Sequence, residues 1–442
     1  MDYDVVIVGA GSAGLFAALR LSEADLRVLV IDRGLAPKER ESITYGVGGA
    51  GTFSDGKLNL TTKIGGDPSA IGCSEADLLR LIEDVDETFT RCGAPELYSG
   101  EDSTALAHLY QTAAQAGIEF IAGRQRHIGT SRIREVIDAL YHDLLARGIE
   151  FRLDARVEGI EREADGFTVD VGSERIAARF VIAAPGRSGA YWLREVARSL
   201  DVGPEFGPLD VGVRLEFPAE LYEYVEQVMY DAKLRVRTST YDDMVRTFCT
   251  NPRGFVVRED HDDFVLVNGH AENERKSSNT NFALLVHVEL TDPVEDTTQY
   301  GRAIAELAST IGGGRPILQR LKDLEQGRRS TAERIRRVRI APTLKEFTPG
   351  DVSMALPQRI VVDILEAIER LDRILPGLAS DGTLIYAPEI KFYDTRYRLS
   401  EGMQTGLPGL YVAGDASGHS RGIVFAAVTG ILAAEHIVGR AT

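Results

Sequence analysis

A chain of 442 residues with 50 Lys and Arg against 67 Asp and Glu carries a net charge of −17, which argues against nucleic acid as a main partner because such a surface repels phosphate backbones. Its 44% hydrophobic and 26% charged content is that of an ordinary globular protein with enough mass for two or three domains. Cys73, Cys92 and Cys249 are odd in number and form no C-x-x-C, so a disulfide framework and paired-thiol chemistry are excluded, and a reducing cytoplasm is expected.

Residues 4–8, "DVVIV", are an apolar run ending at glycine, the pattern of a strand buried on both faces. Residues 13–24 carry helical spacing, and 27–31, "RVLVI", form a second buried strand that ends at Asp32. A core strand that begins at Val5 leaves no room for a signal peptide, and no apolar run approaches the roughly 20 residues of a membrane span. A glycine-rich stretch, "YGVGGAGTFSDGK", covers 45–57. Ser74 and Asp77 then form a capping box that opens a helix with Leu78, Leu81, Ile82, Val85 and Phe89 on one face. A short helix is predicted over 104–116, a strand at "IEFIAG", and a helix from Ser131 to Gly148.

Beyond residue 149 the period shortens. "IEFRLDARVEGIERE", "GFTVDV" and "RIAARFVIAA" read as a three-stranded meander that returns to the parallel sheet. Residues 205–300 hold six alternating or apolar strands with no helices between them, which predicts an antiparallel sheet in a separate layer. Helices are predicted at 299–311, 315–326 and 358–373. The tail returns to the opening style, with "GLYVAGD" before the apolar helix "IVFAAVTGILAAEHIV".

In "VVIVGAGSAG", Gly9 permits a tight turn, Gly11 lets a pyrophosphate approach the backbone, and Gly14 lets helix pack on strand. The start of the helix at Ser12 and Ala13 offers N–H groups and a positive dipole end. Asp32, followed by Arg33, stands where a carboxylate accepts the hydroxyls of an adenosine ribose. The tail selects FAD over NAD: Gly414-Asp415 can hold a ribityl hydroxyl, and Gly422, Ile423 and Val424 start a helix that faces the flavin N1/O2 edge. Val157 and Ala184-Pro185-Gly186 complete the expected cofactor contacts.

These motifs resemble the glutathione-reductase-like FAD superfamily, in its fumarate-reductase and hydroxylase branches. "GGAGTFSDGKL", "RHIGT", "VIAAPGRSGA", "VRTFCTNPRGFVV", "VNGH", "QGRRST" and "EIKFYDTR" together resemble the predicted FAD-dependent dehydrogenases of bacteria and archaea, over nearly the whole chain. The resemblance implies FAD and an oxidoreductase; it implies no substrate. Hydroxylases of the superfamily carry Asp where Pro185 stands here, which turns the expectation towards a dehydrogenase or reductase. A flavin monooxygenase of the aromatic-hydroxylase type and an FAD-dependent RNA-modifying protein remain the alternatives.

Gly46, Gly48 and Gly51 also match G-x-G-x-x-G. With 44 glycines in 442 residues, such a match arises by chance about 0.4 times. No strand precedes it, so a second nucleotide fold is not expected. Gly48, Gly49 and Ala50 read instead as main chain laid against the flavin ring. NAD(P)H, if used, is expected to bind transiently without a fold of its own.

Candidates for moving the partner proton of hydride chemistry are His270 in "VNGH", His419 in "GDASGHSRG", Lys391 and Tyr393 in "EIKFYD", and Arg246. Each has an ordinary alternative as a cap, a turn side chain or sheet polarity. Arg328, Arg329, Arg334, Arg336, Arg337 and Arg339 cluster, either to bind an anion or to pair with surface carboxylates. No metal site is expected. The fold class expected is α/β: a Rossmann-like FAD-binding domain (parallel sheet plus three-stranded meander) over 1–200 and 376–442, with a helical insertion at about 66–118, and an inserted mixed or antiparallel-sheet substrate domain over 201–375. The expected partner is a small molecule, anionic where the arginine cluster binds it, with no nucleic acid and no membrane.

Overall fold

The structure is a computed structural model. It describes the whole chain except residues 41, 43, 54, 55, 206, 262, 272–274, 291–295, 393, 394 and 442, and it describes only the backbone of 130 and 131. The chain divides into two compact units: Met1–Tyr98, Gly123–Glu205 and Thr395–Thr442 form unit 1, and Ser99–Ala122 with Phe206–Asp394 form unit 2.

Unit 1 is built on a sheet with the strand order 150–152, 28–31, 3–8, 174–183, 166–171, 157–163. Tyr3–Val8 pairs in parallel with Val28–Ile31 and with Glu174–Ala183, and Leu410–Val412 pairs in parallel with the same Glu174–Ala183 strand. Val5, Val6 and Ile7 are 0% exposed, as strands covered on both faces require. The long segment from 149 is not one strand. Glu150–Arg152 joins the parallel edge beside Val28–Ile31, while Val157–Glu163 opens the antiparallel meander. The break lies at Asp154, whose φ of 52° and N–H bond to the Gly34 carbonyl turn the chain out of the strand.

Two helices fill one side of this sheet. Ser12–Leu21 packs against Ile423–Ala441 so closely that a Cβ at Gly430 would lie 2.0 Å from the Ala13 carbonyl oxygen. Ile423–Ala441 is long and apolar enough to cross a membrane by length and composition, contrary to the expectation that no such run exists; yet 67% of its apolar window is buried inside the protein. Each fully buried Val or Ile contributes roughly 1.5–3 kcal/mol, so this helix is a main beam of the core. Glu75–Arg91 buries Leu78, Leu81, Ile82, Val85 and Phe89, and Ser74 caps it by accepting the Asp77 N–H. The helix at Thr130–Ala146 starts one residue before Ser131, with Gly129 as its cap.

Unit 2 is an eight-stranded sheet in the order 348–349, 317–320, 384–392, 209–218, 279–288, 244–251, 233–237, 118–121. All pairs are antiparallel except Ile317–Arg320 with Thr348–Pro349. Val211, Val213, Leu215 and Phe217 alternate onto one face, which the helix Gln358–Leu371 covers. Asp210, Arg214 and Glu216 alternate onto the other and are each 0% exposed. Phe255–Asp260 and Val265–His270 form a separate hairpin.

Two boundaries move. Leu384–Phe392 pairs with Leu209–Pro218 and with Ile317–Arg320, so the return to unit 1 falls at Thr395 and not at 376. Ile118–Ile121 pairs with Lys233–Arg237, which draws 99–122 out of the expected insertion into unit 2. The helix expected at 315–326 is a strand, Ile317–Arg320, followed by a short helix, Leu321–Glu325. Strand pairing on both sides of Ile317–Arg320 overrides its local periodicity.

Candidate functional site

The first glycine loop joins Tyr3–Val8 to the helix at Ser12. Gly9 has φ +107°, and a Cβ there would lie 2.2 Å from the Ala184 carbonyl oxygen and 3.2 Å from the Pro185 Cα, so only glycine lets the 184–186 turn close on the loop. Gly14 packs equally close, against the Gly9 carbonyl. Asp32 is buried at the tip of Val28–Ile31; its Oδ2 accepts from the Ala10 N–H and its Oδ1 from the Gly34 N–H, both at 2.8 Å. Each carboxylate oxygen retains a second lone pair for a ribose hydroxyl. Arg33 is exposed, with its guanidinium 4.3 Å over the Tyr45 ring. Val157 is buried in the apolar cluster with Val8 and Ile31.

The second glycine segment folds back onto the first. The Gly48 N–H donates to the Ala10 carbonyl at 2.8 Å, and Gly11 and Gly48 form a parallel bridge. Gly49 stands close by, since a Cβ there would lie 3.1 Å from the Gly11 Cα. Ala50 precedes a three-residue 3-10 turn, Gly51–Phe53, and the next described element is the strand Lys57–Leu60. Ser54 and Asp55 lie outside the described residues.

Arg40, which sequence reasoning missed, braces this segment. Its Nη1 donates to the carbonyls of Gly46 (3.3 Å), Val47 (2.9 Å) and Gly49 (3.0 Å), and its guanidinium stacks 3.6 Å over Phe53. Burial pushes its pKa down to about 10, against the opposing pull of Asp32. Only its place in the fold marks it, because nothing in "PKERES" separates it from surface Arg.

The chain's far end meets this loop within the same unit. A Cβ at Gly414 would lie 3.1 Å from the Ala13 Cβ, and one at Gly51 would lie 3.0 Å from Ile423 Cγ1. Asp415 is 17% exposed; its Oδ1 accepts from Ser420 Oγ at 3.2 Å, and Arg187 Nε stands 3.6 Å from Oδ2. The Gly422 carbonyl accepts the first helical bond, from Ala426, so the N–H groups of Ile423 and Val424 lie outside the helix's own ladder. The Ser12–Leu21 helix likewise has no side-chain cap at Gly11.

Three observations test the fit to an adenine–flavin dinucleotide. Nothing but the Gly49 Cα stands within 4 Å of a Cβ placed at Gly11, and nothing at all for Gly186 or Gly422, so these glycines border open space where a larger residue would intrude. Two uncapped helix starts, at Ser12 and Ile423, offer N–H donors to anions. Arg40 Nη2 is buried with no partner among the described residues. The donor set suits a diphosphate and a polar ring edge.

The proposed proton-moving residues divide between the units. His419 lies in unit 1, where its Nε2 is 2.7 Å from the Tyr397 carbonyl oxygen. A carbonyl only accepts, so Nε2 carries the proton, and burial lowers the pKa of the ring. That nitrogen is committed to the backbone, and the residue acts as a turn clamp. Arg246, Lys391 and His270 lie in unit 2. Arg246 Nε donates to Asp210 at 3.0 Å, and Lys391 Nζ is 3.0 Å from Glu389 Oε1. His270 closes its hairpin opposite Phe255. Tyr393 lies outside the described residues. Of the arginine cluster, Arg328 and Arg334 approach Asp323, and Arg337 pairs with Glu333. Ser330 does not cap the helix at Ala332–Arg336; Thr331 does, while Ser330 Oγ donates to Asp323 at 2.7 Å.

Sequence reasoning also missed the polar core of unit 2. Arg214 and Glu389 are both 0% exposed and joined by two bonds, Nε to Oε2 at 2.7 Å and Nη2 to Oε1 at 2.8 Å. Arg214 Nη1 also donates to Asn281 Oδ1 at 2.8 Å. Asp210 accepts from Arg246 and, at 2.8 Å, from His287 Nδ1. Burial alone would raise the Asp210 pKa, but Arg246 and His287 outweigh it and hold the carboxyl down to about 2. The period-2 placement of 210, 214 and 216 in "LDVGVRLEF" was the signal available.

Residues 2–196 match the family described as "FAD binding domain", and residues 208–391 match "FAD-dependent protein, C-terminal domain-like". Both descriptions name FAD, which is the cofactor this chain is built to bind. An uncharacterized protein of Clostridium beijerinckii is 26% identical over 98% of this chain and 80% of its own length. A phytoene dehydrogenase of Streptomyces griseus is 29% identical over 35% of this chain and 29% of its own. Among solved structures, glycine oxidase from Geobacillus kaustophilus superposes with a TM-score of 0.41 at 13% identity, covering 99% of this chain and 95% of that one.

Proposed function

We propose that this FAD-binding protein is an oxidoreductase, a dehydrogenase or reductase of the glutathione-reductase-like superfamily, passing hydride between FAD N5 and a small organic substrate. The observation that carries the reading is the meeting of the two chain ends, with Gly414 and Ala13 close enough that their Cβ positions are 3.1 Å apart. When bound, FAD supplies two-electron chemistry at its ring system. The chain's part is to bind and orient. The loop Gly9–Gly14 and the helix start behind it would hold the pyrophosphate, Asp32 the adenosine ribose, and Asp415 the ribityl chain. The N–H groups of Ile423 and Val424 would donate to the flavin N1/O2 edge, and the main chain of Gly48, Gly49 and Ala50 would line its ring.

Pro185, at the place where hydroxylases carry Asp, supports a dehydrogenase over a monooxygenase. The name of the partial relative, phytoene dehydrogenase, points the same way. NAD(P)H would serve as a transient reductant without a nucleotide fold of its own, a reading supported by the 3-10 turn that follows Gly46–Gly51. The net charge of −17 supports a small-molecule partner over nucleic acid. Three free cysteines support a cytoplasmic setting.

The test is anaerobic. Purified protein with its yellow cofactor is reduced, then offered an artificial two-electron acceptor in the absence of O2. A dehydrogenase or reductase passes its electrons on. Turnover that requires O2 and leaves labelled oxygen in the product would establish the monooxygenase instead. Protein that takes up no FAD would end the reading altogether.

A further inference from the structure

In unit 2, three cations surround one aromatic ring. Phe248 lies half-buried on the strand Met244–Asn251. The Arg246 guanidinium is 4.9 Å from its ring centroid, Lys233 Nζ 5.3 Å, and Lys391 Nζ 5.9 Å. They come from three different strands, 244–251, 233–237 and 384–392. Each cation is held by a different buried carboxylate: Arg246 by Asp210, which His287 shares, Lys233 by Asp231 at 2.7 Å, and Lys391 by Glu389 at 3.0 Å, which Arg214 shares. The carboxylates are 1%, 1% and 0% exposed, whereas the cations keep 21%, 12% and 13%. Glu259 also feels the Lys391 charge.

A single cation over a phenyl ring is a common packing contact. Three that converge on one ring repel each other, and buried carboxylates hold each in a fixed rotamer, so their side-chain freedom is already spent. The carboxylates are fully buried, while part of each cation's side chain stays exposed. Such a surface suits a flat anion whose ring stacks on Phe248 and whose charge sits among the cations.

We propose that Lys233, Arg246, Phe248 and Lys391 form a subsite for an aromatic or conjugated carboxylate. The proposal rests on the reading of this chain as a flavin dehydrogenase or reductase acting on a small organic molecule, and it names the class of that molecule.

The probe is trans-cinnamate, titrated calorimetrically into FAD-loaded protein beside cinnamamide, its uncharged isostere. Cinnamate is expected to bind at least about tenfold more tightly than the amide. Lys391→Gln is expected to weaken cinnamate by about tenfold and leave the amide unchanged, and Phe248→Leu to weaken both. Arg246→Gln removes a charged partner of the buried Asp210 and is expected to destabilise the fold, so the other two variants carry the test, with their flavin absorbance and Tm confirming a folded holoprotein. Equal binding of acid and amide, no binding of either, or unchanged cinnamate affinity in Lys391→Gln would overturn the subsite. Wild-type protein that binds no flavin would refute the FAD reading instead; intact flavin absorbance with no cinnamate binding refutes the subsite alone.

Discussion

Replacing Glu389 by Gln keeps the shape of the side chain and removes its charge. Arg214 is 0% exposed, and the bonds at 2.7 and 2.8 Å from Nε and Nη2 are its only links to a carboxylate among the described residues. Its other bonds, to Cys249 O at 3.2 Å and Asn281 Oδ1 at 2.8 Å, are to neutral acceptors. Glu389→Gln therefore leaves a buried guanidinium without a counter-charge, and Lys391 loses its 3.0 Å partner as well. Breaking a buried pair from one side costs about 3–5 kcal/mol. At about 2–4 °C per kcal/mol for a unit of this size, Tm falls by roughly 6–20 °C. Urea unfolding followed by far-UV circular dichroism reads the loss directly. Exchanging both partners for apolar residues of similar volume, Arg214→Met with Glu389→Leu, should cost less than the sum of the two single changes, because the desolvation of two charges is recovered. A loss under about 1 kcal/mol for Glu389→Gln would refute the argument that this pair is dry and mutually dependent. So would a double variant as damaged as the two singles added together.

Asp210 supplies a pH test. Its carboxyl is held at about 2 against an ordinary value of 3.8, a gap worth about 2 kcal/mol. A depressed carboxylate stabilises the fold above its unfolded value, so this contribution is present above about pH 4 and lost as pH falls through about 2. Asp210→Asn should be less stable than wild type at pH 7, and the difference should shrink between about pH 4 and 2 in denaturant titrations. Gly9→Ala places a Cβ 2.2 Å from the Ala184 carbonyl oxygen, so the flavin absorbance of purified protein should drop at least about tenfold. Arg40→Met deprives the carbonyls of Gly46, Val47 and Gly49 of their donor, at roughly 1–3 kcal/mol for each group left unsatisfied. FAD reconstitution followed by fluorescence quenching should show an affinity at least about tenfold weaker.

The sequence determined the parts whose signal is local. Consecutive apolar residues at 5–8 and 28–31, a glycine triplet between strand and helix, and an acid at the second strand's tip specify a loop with few alternatives, since backbone sterics and hydrogen-bond saturation are settled within a dozen residues. Capping at Ser74 was legible for the same reason. Tertiary structure decided what depends on partners far away in the chain. Whether "RVEGIERE" continues "IEFRLD" is set by the turn at Asp154 and its bond to Gly34, and whether 384–392 closes one sheet or another is set by pairing with 209–218. His419 looked available beside Asp415 until the Tyr397 carbonyl claimed its proton. Arg40 and Glu389 carry nothing in their own neighbourhoods to mark them as buried, and for Arg214 only the alternation of "LDVGVRLEF" hints at it. A charge is driven into the interior only where partners satisfy it, and for Arg214 that partner, Glu389, lies 175 residues away, so the pairing exists only after the chain has folded.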